Sequence, residues 1–405
     1  MTTETMPEDA ASTAPALDLR PISADSHVVE GPEVFDGLAE HFGDDAPRIV
    51  SKDGGSDYIV VPARKNAVVN VGIMALAATR LDGKGPGERK PGHKPGTGTV
   101  DDPEIRAYLD GGYAAMRPGL LDGARRGEDQ DVDGIRAEVL YPGYFSMFGL
   151  KNIDLLIALQ RNYNEWLAAE CAKSGGRLHG LAVLPVQEPT AAIAELDRAI
   201  DLGYRGAVIA SNAPKGRRYS DDDYDQLWAM ADEAGIPISF HVGCFSHIPG
   251  WLKESSGRDP IATYSGTASL IHDTLIDLMC RGVCRRYPAL QFVVAEFNAG
   301  WIAHWLERVQ QGWEREFSKN PSGEAVEPVE EIWKRQFYAT IEDDQAALRT
   351  RDLIGEDRLM WGSDYPHTDS TWPCSIDVLD EMFAGYPRAA KDAITRDTAA
   401  ALYGL

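Results

Sequence analysis

The stretch RLHGLAVLPVQEPTAAIAELDRAIDLGYRGAVIAS, residues 177–211, decides the fold. Two short, mostly apolar runs at 177–185 and 206–211 flank a segment at 190–203 whose apolar residues recur every three or four positions. The runs predict buried strands, and the segment between them predicts an amphipathic helix that ends at Gly203. A strand, a helix and a second strand in this order predict a βαβ unit and a parallel sheet.

The same alternation continues along the chain. Including the two runs above, we predict eight strands, at 21–27, 135–142, 177–185, 206–211, 237–243, 290–298, 336–342 and 358–364. An open doubly wound sheet would more often begin with a glycine-rich phosphate loop, which does not follow the first strand here. The sequence therefore predicts an α/β fold of the closed (β/α)8 TIM-barrel type.

The first and second predicted strands are separated by a long segment, residues 30–134. One connecting helix needs far fewer residues, so we predict a large insertion. Because it leaves the carboxyl end of a barrel strand, where substrates bind in this architecture, we expect it to act as a lid. Residues 18–405 are then one metal-dependent barrel domain. Residues 1–17 are small and polar and predict a disordered tail.

Charge and composition exclude several classes of protein. The formal net charge of −23 argues against a nucleic-acid partner, which needs an excess of Lys and Arg. The apolar runs are too short to span a membrane. The first seventeen residues have neither the basic nor the apolar part of a signal peptide, so we expect a cytoplasmic protein.

The segment 79–99, TRLDGKGPGERKPGHKPGTGT, is basic in an otherwise acidic chain. One interpretation is a solvated Gly/Pro-rich loop, because such runs are often only flexible. The other is a clamp for an anionic group, such as the phosphates of a coenzyme A thioester. The sequence leaves both open.

Ionisable residues stand at the ends of four predicted strands. Asp25 and His27 end the first strand and share one face, His241 ends the fifth, Glu296 the sixth and Asp364 the eighth. Carboxylates gathered at one barrel rim would repel one another unless a cation neutralised them, so we predict a metal site. For His367 and Glu30, direct ligation, support of a ligand and substrate contact stay open. A strand-end histidine taken alone is more often structural.

These residues resemble a known family. The stretches ADSHVVE (24–30), AEFNAGWIAHWLER (295–308) and WGSDYPHTDSTWP (361–373) are similar to the amidohydrolase superfamily, in its branch of barrels like aminocarboxymuconate-semialdehyde decarboxylase. The resemblance implies one divalent ion, often zinc, and hydrolysis or nonoxidative decarboxylation. It implies His27, His241 and Asp364 as ligands. Asp25 departs from it by standing where the first His of an HxH pair is expected, and Glu296 by standing where many decarboxylases have His.

The two departures make the ligand set more anionic, which favours iron or manganese over zinc and can balance two ions. A subgroup of these barrels is similar to a non-heme di-iron monooxygenase of platensimycin and platencin biosynthesis. The resemblance to it implies two irons, dioxygen, an electron-donating reductase and a bulky acyl substrate, such as a diterpenoid coenzyme A thioester. The six predicted ligands are Asp25, His27, His241, Glu296, Asp364 and His367.

Two other functions stay open. The first is hydrolysis or nonoxidative decarboxylation at one ion, with zinc or manganese as the alternative metal and with Asp364 or His367 as the acid and base. The second is a non-catalytic binding protein with a degenerate site. The apolar helices at 267–279 and 299–310 face either the barrel or a second copy of the chain, so a homo-oligomer also stays open.

Overall fold

In the computed structural model, eight parallel strand positions surround a buried interior. The structure describes residues 18–52, 54–62, 67–79, 103–143, 145–255, 259–317 and 327–405. The predicted tail 1–17 and all of the basic segment except Thr79 lie outside the described residues.

The strands match the predicted positions to within a few residues. The strands of the barrel are β1 Ile22–His27, β5 Ala137–Tyr141, β6 Leu178–Gly180, β7 Ala182–Val183, β8 Ala207–Ile209, β9 Ile238–His241, β10 Phe292–Ala295, β11 Phe337–Ile341 and β12 Leu359–Trp361. The prediction of one continuous strand at 177–185 was wrong in detail. β6 pairs with β5 and β7 pairs with β8, and the two are separated at Leu181.

Backbone hydrogen bonds join the last strand region to the first. The amide of Asp364 donates to the carbonyl of Asp25 at 2.9 Å, and the amide of His27 donates to the carbonyl of Tyr365 at 2.7 Å. The intervening pairs, from β7 to β12, are all parallel. Because these bonds connect β1 to the segment after β12, residues at the two strand ends are held side by side.

Helices surround the strands. They are α1 Leu38–Phe42, α2 Pro103–Asp110, α3 Pro118–Leu121, α4 Arg126–Asp133, α5 Ile153–Lys173, α6 Pro189–Asp201, α7 Asp225–Ala234, α8 Gly250–Ser255, α9 Pro260–Ser265, α10 His272–Cys280, α11 Val283–Arg286, α12 Ile302–Phe317, α13 Val329–Gln336, α14 Gln345–Ile354, α15 Ser375–Met382, α16 Arg388–Asp392 and α17 Thr398–Tyr403. Among the described residues, no helix is long and apolar enough to cross a membrane.

The strands have different side chains on their two faces. On β9, Ser239 faces the interior, where its hydroxyl accepts from Tyr141 at 3.1 Å. Phe240 points the other way and lies 5.9 Å, between ring centroids, from Phe292 of β10. Phe292 in turn contacts Phe337 of β11 at 5.1 Å. This aromatic row packs the helices against the strands and leaves the interior to polar residues at the strand ends.

The segment between β1 and β5 has structure of its own. It contains α1 to α4 and a small antiparallel sheet of β2 Arg48–Ser51, β3 Asp57–Val61 and β4 Ala67–Asn70. The hydroxyl of Tyr113 donates to the carbonyl of Glu30 at 2.7 Å, and the amide of Ala77 donates to the carbonyl of Pro366 at 3.1 Å. The segment thus contacts the carboxyl ends of the first and last strands. Its role as a lid stays a prediction.

Candidate metal centre

The first strand supplies two side chains to the barrel interior. Asp25 and His27 lie two residues apart on β1 and are buried, with 2% and 0% of their surfaces exposed. Since alternate residues of a strand point to the same face, both side chains reach the same end of the barrel.

Three more strands contribute at their carboxyl ends. His241 is the last residue of β9, Glu296 follows β10 directly, and Asp364 follows β12 by three residues. Glu296 and Asp364 have φ angles of 60° and 56°. For residues other than glycine this left-handed conformation is strained, and such strain is concentrated at functional sites. It turns both carboxylates away from the strand direction and toward β1.

With His367, these residues form what we call the rim cluster: Asp25, His27, His241, Glu296, Asp364 and His367. They fall into two overlapping groups whose ligand atoms lie within 4.8 Å of one another. One group is His27, Glu296, Asp364 and His367, and the other is Asp25, His27 and His241. His27 belongs to both groups, so it occupies the middle of the cluster.

Backbone carbonyls orient the two central imidazoles. Nδ1 of His27 lies 3.1 Å from the carbonyl oxygen of Pro142, and Nδ1 of His241 lies 2.6 Å from that of Val242. A carbonyl only accepts, so Nδ1 carries a proton in both rings and Nε2 is the nitrogen that faces the other ligand residues. In metal-binding histidines, the ring nitrogen that does not bind the metal typically donates a hydrogen bond of this kind.

The donor atoms have the spacing of metal ligands. Nε2 of His27 lies 3.2 Å from Asp364 Oδ1 and 3.7 Å from Asp25 Oδ1, and Nε2 of His241 lies 2.9 Å from Glu296 Oε2 and 3.3 Å from Asp25 Oδ1. Ligands bound to one ion at about 2.1 Å are themselves about 3.0 to 3.4 Å apart. The described residues therefore fit a divalent metal ion.

The carboxylates also need a cation on electrostatic grounds. Among the described residues, the ion pairs of Asp25, Glu296 and Asp364 are all with histidines of the rim cluster. Oδ1 of Asp25 and Oε2 of Glu296 are buried and accept no hydrogen bond of ordinary geometry. One divalent ion would leave a net charge of about −1 on the three ionised carboxylates, and two would leave about +1.

The protein's own groups shift the pKa values of the rim-cluster residues in different directions. Burial, followed by the charge of Asp364, raises the pKa of Glu296 to about 7. Burial also lowers the pKa of His27 to about 4, which keeps its imidazole neutral and able to ligate. Burial would raise the pKa of Asp364, but His367 and His27 outweigh it and lower that pKa below its usual range.

His241 and His367 are shifted in the opposite direction from His27. Burial acts to lower both pKa values. The carboxylates of Asp25 and Glu296 nevertheless raise that of His241 well above its usual range, and Asp364, with Nδ1 of His367 at 2.9 Å, raises that of His367. The carboxylates of the cluster thus favour the protonated forms of His241 and His367.

All six residues predicted as ligands lie in the rim cluster, although their ligation stays a prediction. Glu30 is buried, but its side chain is in neither ligand group. Sequence reasoning missed Thr340 and Arg126, which hydrogen-bond to ligand residues. Neither residue could be recognised from the sequence, because a threonine inside a strand and an arginine in a helix are common and indicate no particular role.

The chain was compared with known proteins. The profile of a family described as Amidohydrolase (Amidohydro_2) matches residues 117–405. Decarboxylase orsB of Emericella nidulans is 28% identical over 229 residues, which are 50% of this chain and 63% of that protein. The match therefore spans less than two thirds of that relative.

Solved structures show the same fold. An amidohydrolase from Mycobacterium avium subsp. paratuberculosis aligns with a TM-score of 0.74 and 21% identity, over 96% of this chain and 99% of that chain. The 5-carboxyvanillate decarboxylase of Novosphingobium aromaticivorans, crystallised with manganese and 4-hydroxy-3-methoxy-5-nitrobenzoic acid, aligns with a TM-score of 0.62 and 22% identity. That alignment covers 76% of this chain and 85% of that chain.

Proposed function

Since the chain belongs to the amidohydrolase family, we propose that it is a metal-dependent enzyme that removes a carboxylate from an aromatic acid without an oxidant. The observation that carries this proposal is the convergence of two histidines and two carboxylates, from β1, β9 and the segment after β12, at one barrel rim. The predicted family is confirmed. The predicted kinship with a monooxygenase gains no support from the relatives named above, two of which are decarboxylases.

Asp25, His27, His241 and Asp364 would hold the ion. When bound, a divalent ion acts as a Lewis acid toward the oxygens of a carboxylated substrate. Among the carboxylates of the rim cluster, Glu296 has the most exposed side chain, at 22%, so an aromatic acid would approach from its side.

Decarboxylation also needs a proton donor. The bond between the ring carbon and the carboxylate breaks, carbon dioxide leaves, and the ring carbon takes a proton in its place. Before an ion binds, burial raises the pKa of Glu296 to about 7 and Asp364 raises that of His367, so these two side chains are the proton donors that we propose. Asp364, whose pKa His367 and His27 lower, stays ionised and suits ligation; its predicted role as the acid or base stays a prediction.

The test incubates manganese-loaded protein with a panel of hydroxybenzoic acids in the absence of dioxygen. We expect release of one carbon dioxide per decarboxylated product. Glu296→Gln should keep its manganese and lose turnover, because Gln cannot donate that proton. Absence of turnover on every aromatic acid, with the metal bound, would contradict the proposal.

A second function is favoured by one specific observation. The rim cluster offers six donor residues in two overlapping groups, which is more than one ion needs. Three histidines and three carboxylates suit two irons, as in dioxygen-activating carboxylate centres. In that case Glu296 is a ligand, since a bound cation lowers the pKa of the carboxyl group that holds it. The reaction is then hydroxylation of a bulky acyl substrate.

Hydroxylation balances only with a reductant. One oxygen atom of dioxygen enters the C–H bond and the other leaves as water, so a reductase must supply two electrons and solvent two protons. Two irons per chain, and oxygen uptake that matches hydroxylated product, would establish this second function. One ion per chain and turnover without oxygen would exclude it. Glu296→Gln separates the two as well, because it should remove one of two irons but should leave a single manganese in place.

A further inference from the structure

Strand β11 contributes no ligand to the rim cluster, yet one of its side chains lies between two ligand residues. The hydroxyl of Thr340 donates to Asp25 Oδ2 at 2.9 Å and accepts from the backbone amide of Glu296 at 2.9 Å. Thr340 is only 1% exposed, so water does not compete for either bond.

The direction of these bonds follows from chemistry. An amide N–H can only donate, so the lone pair of the Thr340 oxygen receives it. A hydroxyl has one proton, and an ionised carboxylate can only accept it. The single proton of Thr340 is therefore committed to Asp25 Oδ2.

This arrangement gives the two carboxylate oxygens of Asp25 different contacts. Oδ2 is occupied by Thr340, whereas Oδ1 faces Nε2 of His241 at 3.3 Å and Nε2 of His27 at 3.7 Å. Only Oδ1 is thus presented to the space between the imidazoles.

The same hydroxyl supports the backbone of Glu296. The regular pairing of β10 with β11 reaches Val294 and Ala339. Just beyond it, Glu296 turns into the left-handed conformation, and the side chain of Thr340 takes the place of a backbone acceptor for its amide. The left-handed conformation is strained for a residue other than glycine, so a fixed partner for its amide helps to keep Glu296 in that conformation.

We propose that Thr340 is a positioning residue that makes Asp25 a ligand through one oxygen and holds the backbone from which Glu296 projects. The inference rests on the proposed function only in requiring that the rim cluster binds a divalent metal ion. It applies equally to the one-ion and the two-ion forms of the site.

The test compares Thr340→Val, which keeps the shape and removes the hydroxyl, with Thr340→Ser, which keeps the hydroxyl. Manganese affinity is measured on purified full-length protein from the electron paramagnetic resonance signal of free Mn²⁺. We expect Thr340→Val to weaken binding about 10- to 100-fold, as is usual for groups that orient ligands. Thr340→Ser should bind within about threefold of the unmodified protein.

Two controls separate positioning from packing. Thr395→Val removes an equally buried hydroxyl, which donates to the carbonyl of Lys391, and should leave the affinity unchanged. In an Asp25→Ala background, Thr340→Val should weaken binding much less than it does in the unmodified protein, because its target carboxylate is gone and only its bond to the Glu296 amide is lost. An additive effect there would show that Thr340 acts through packing and would overturn the inference.

The remaining outcomes are distinct. Thr340→Val binding Mn²⁺ as tightly as the unmodified protein would overturn this inference alone. Thr340→Ser binding as weakly as Thr340→Val would overturn it too, by showing that the methyl group matters. If the unmodified protein bound no divalent metal, the proposed function and the inference would both fail.

Discussion

Gly362 shows how closely the first strand of the barrel and the segment after the last strand approach each other. A Cβ at this position would lie 2.4 Å from the Cβ of Asp25 and 3.1 Å from its Cα and amide nitrogen. Real Cβ atoms do not approach other atoms so closely, and backbone cannot move aside as a flexible side chain can. The glycine in the stretch WGSDYPH thus keeps β1 and the segment after β12 in register at the metal ligands.

We predict that Gly362→Ala destabilises the fold by about 1–3 kcal/mol, as overpacked substitutions do, and weakens metal binding by displacing Asp25. Urea unfolding and a manganese titration would measure the two effects. The matched control is Gly312→Ala within α12, where an added Cβ meets nothing within 4 Å. That substitution should stabilise the protein by about 0.5–1 kcal/mol. Equal effects at the two positions would show that the close approach at Gly362 is unimportant.

Contacts between helices and strands also fix the positions of the strand ends. Arg126 of α4, 3% exposed, forms a two-pronged ion pair with Glu138 of β5 and donates to the carbonyls of His27 and Tyr365 at 3.1 and 3.2 Å. One guanidinium therefore joins the insertion to the end of β1 and to the segment after β12, which carry predicted ligands.

Arg126→Met should cost about 3–5 kcal/mol of unfolding free energy, because it leaves the Glu138 carboxylate buried without its partner. It should also weaken metal binding. Arg125→Met is the neighbouring control, since Arg125 pairs with Glu128 in solvent, where their side chains are 49% and 58% exposed. We expect no measurable change there. A loss of stability in Arg125→Met as large as that in Arg126→Met would contradict this account of α4.

Asp344 links α14 to the segment after β10. Its Oδ1 caps the helix by accepting from the amide of Ala347, and its Oδ2 accepts from the amides of Ala299 and Gly300 at 2.8 and 2.7 Å. We predict that Asp344→Ala costs about 3 kcal/mol, from one helix cap and two charged hydrogen bonds. Asp259→Ala, which removes only the cap of α9, should cost about 1 kcal/mol. Urea denaturation measures the free energy of unfolding of both variants. Equal losses of this free energy would show that Asp344 does not link α14 to the segment after β10.

The sequence predicted more of this architecture than of the site's supports. Asp25, His27, His241 and Asp364 could be found because each ends or follows an apolar run, which is a local pattern. Thr340 could not, because its partner Asp25 lies 315 positions away along the chain. The left-handed backbone of Glu296 and Asp364 could not be predicted either, since that conformation is uncommon for any residue other than glycine.

Across the chain, buried thiols and phenols make stability depend on pH. Burial raises the pKa of Cys171 and of Cys280 to about 12, from an ordinary value of 9.0, and raises those of Tyr141 and Tyr219 well above 10.0. Above pH 9 the unfolded chain releases these protons while the folded chain keeps them. The folded state then binds more protons, so its stability falls as pH rises.

We therefore expect the urea midpoint to fall progressively between about pH 9 and 12. The measurement is a series of urea unfolding curves followed by circular dichroism. A midpoint that stayed constant up to pH 10.5 would show that these groups are accessible to solvent in the folded protein.

The central claim is that the rim cluster binds divalent metal, and His27 tests it most directly because it belongs to both ligand groups. The measurement is the metal content of the unmodified protein and of His27→Ala after anaerobic loading with iron or manganese and removal of free ions. The account predicts one or two ions per chain in the unmodified protein and almost none in His27→Ala. His27→Ala with the same metal content as the unmodified protein would contradict it.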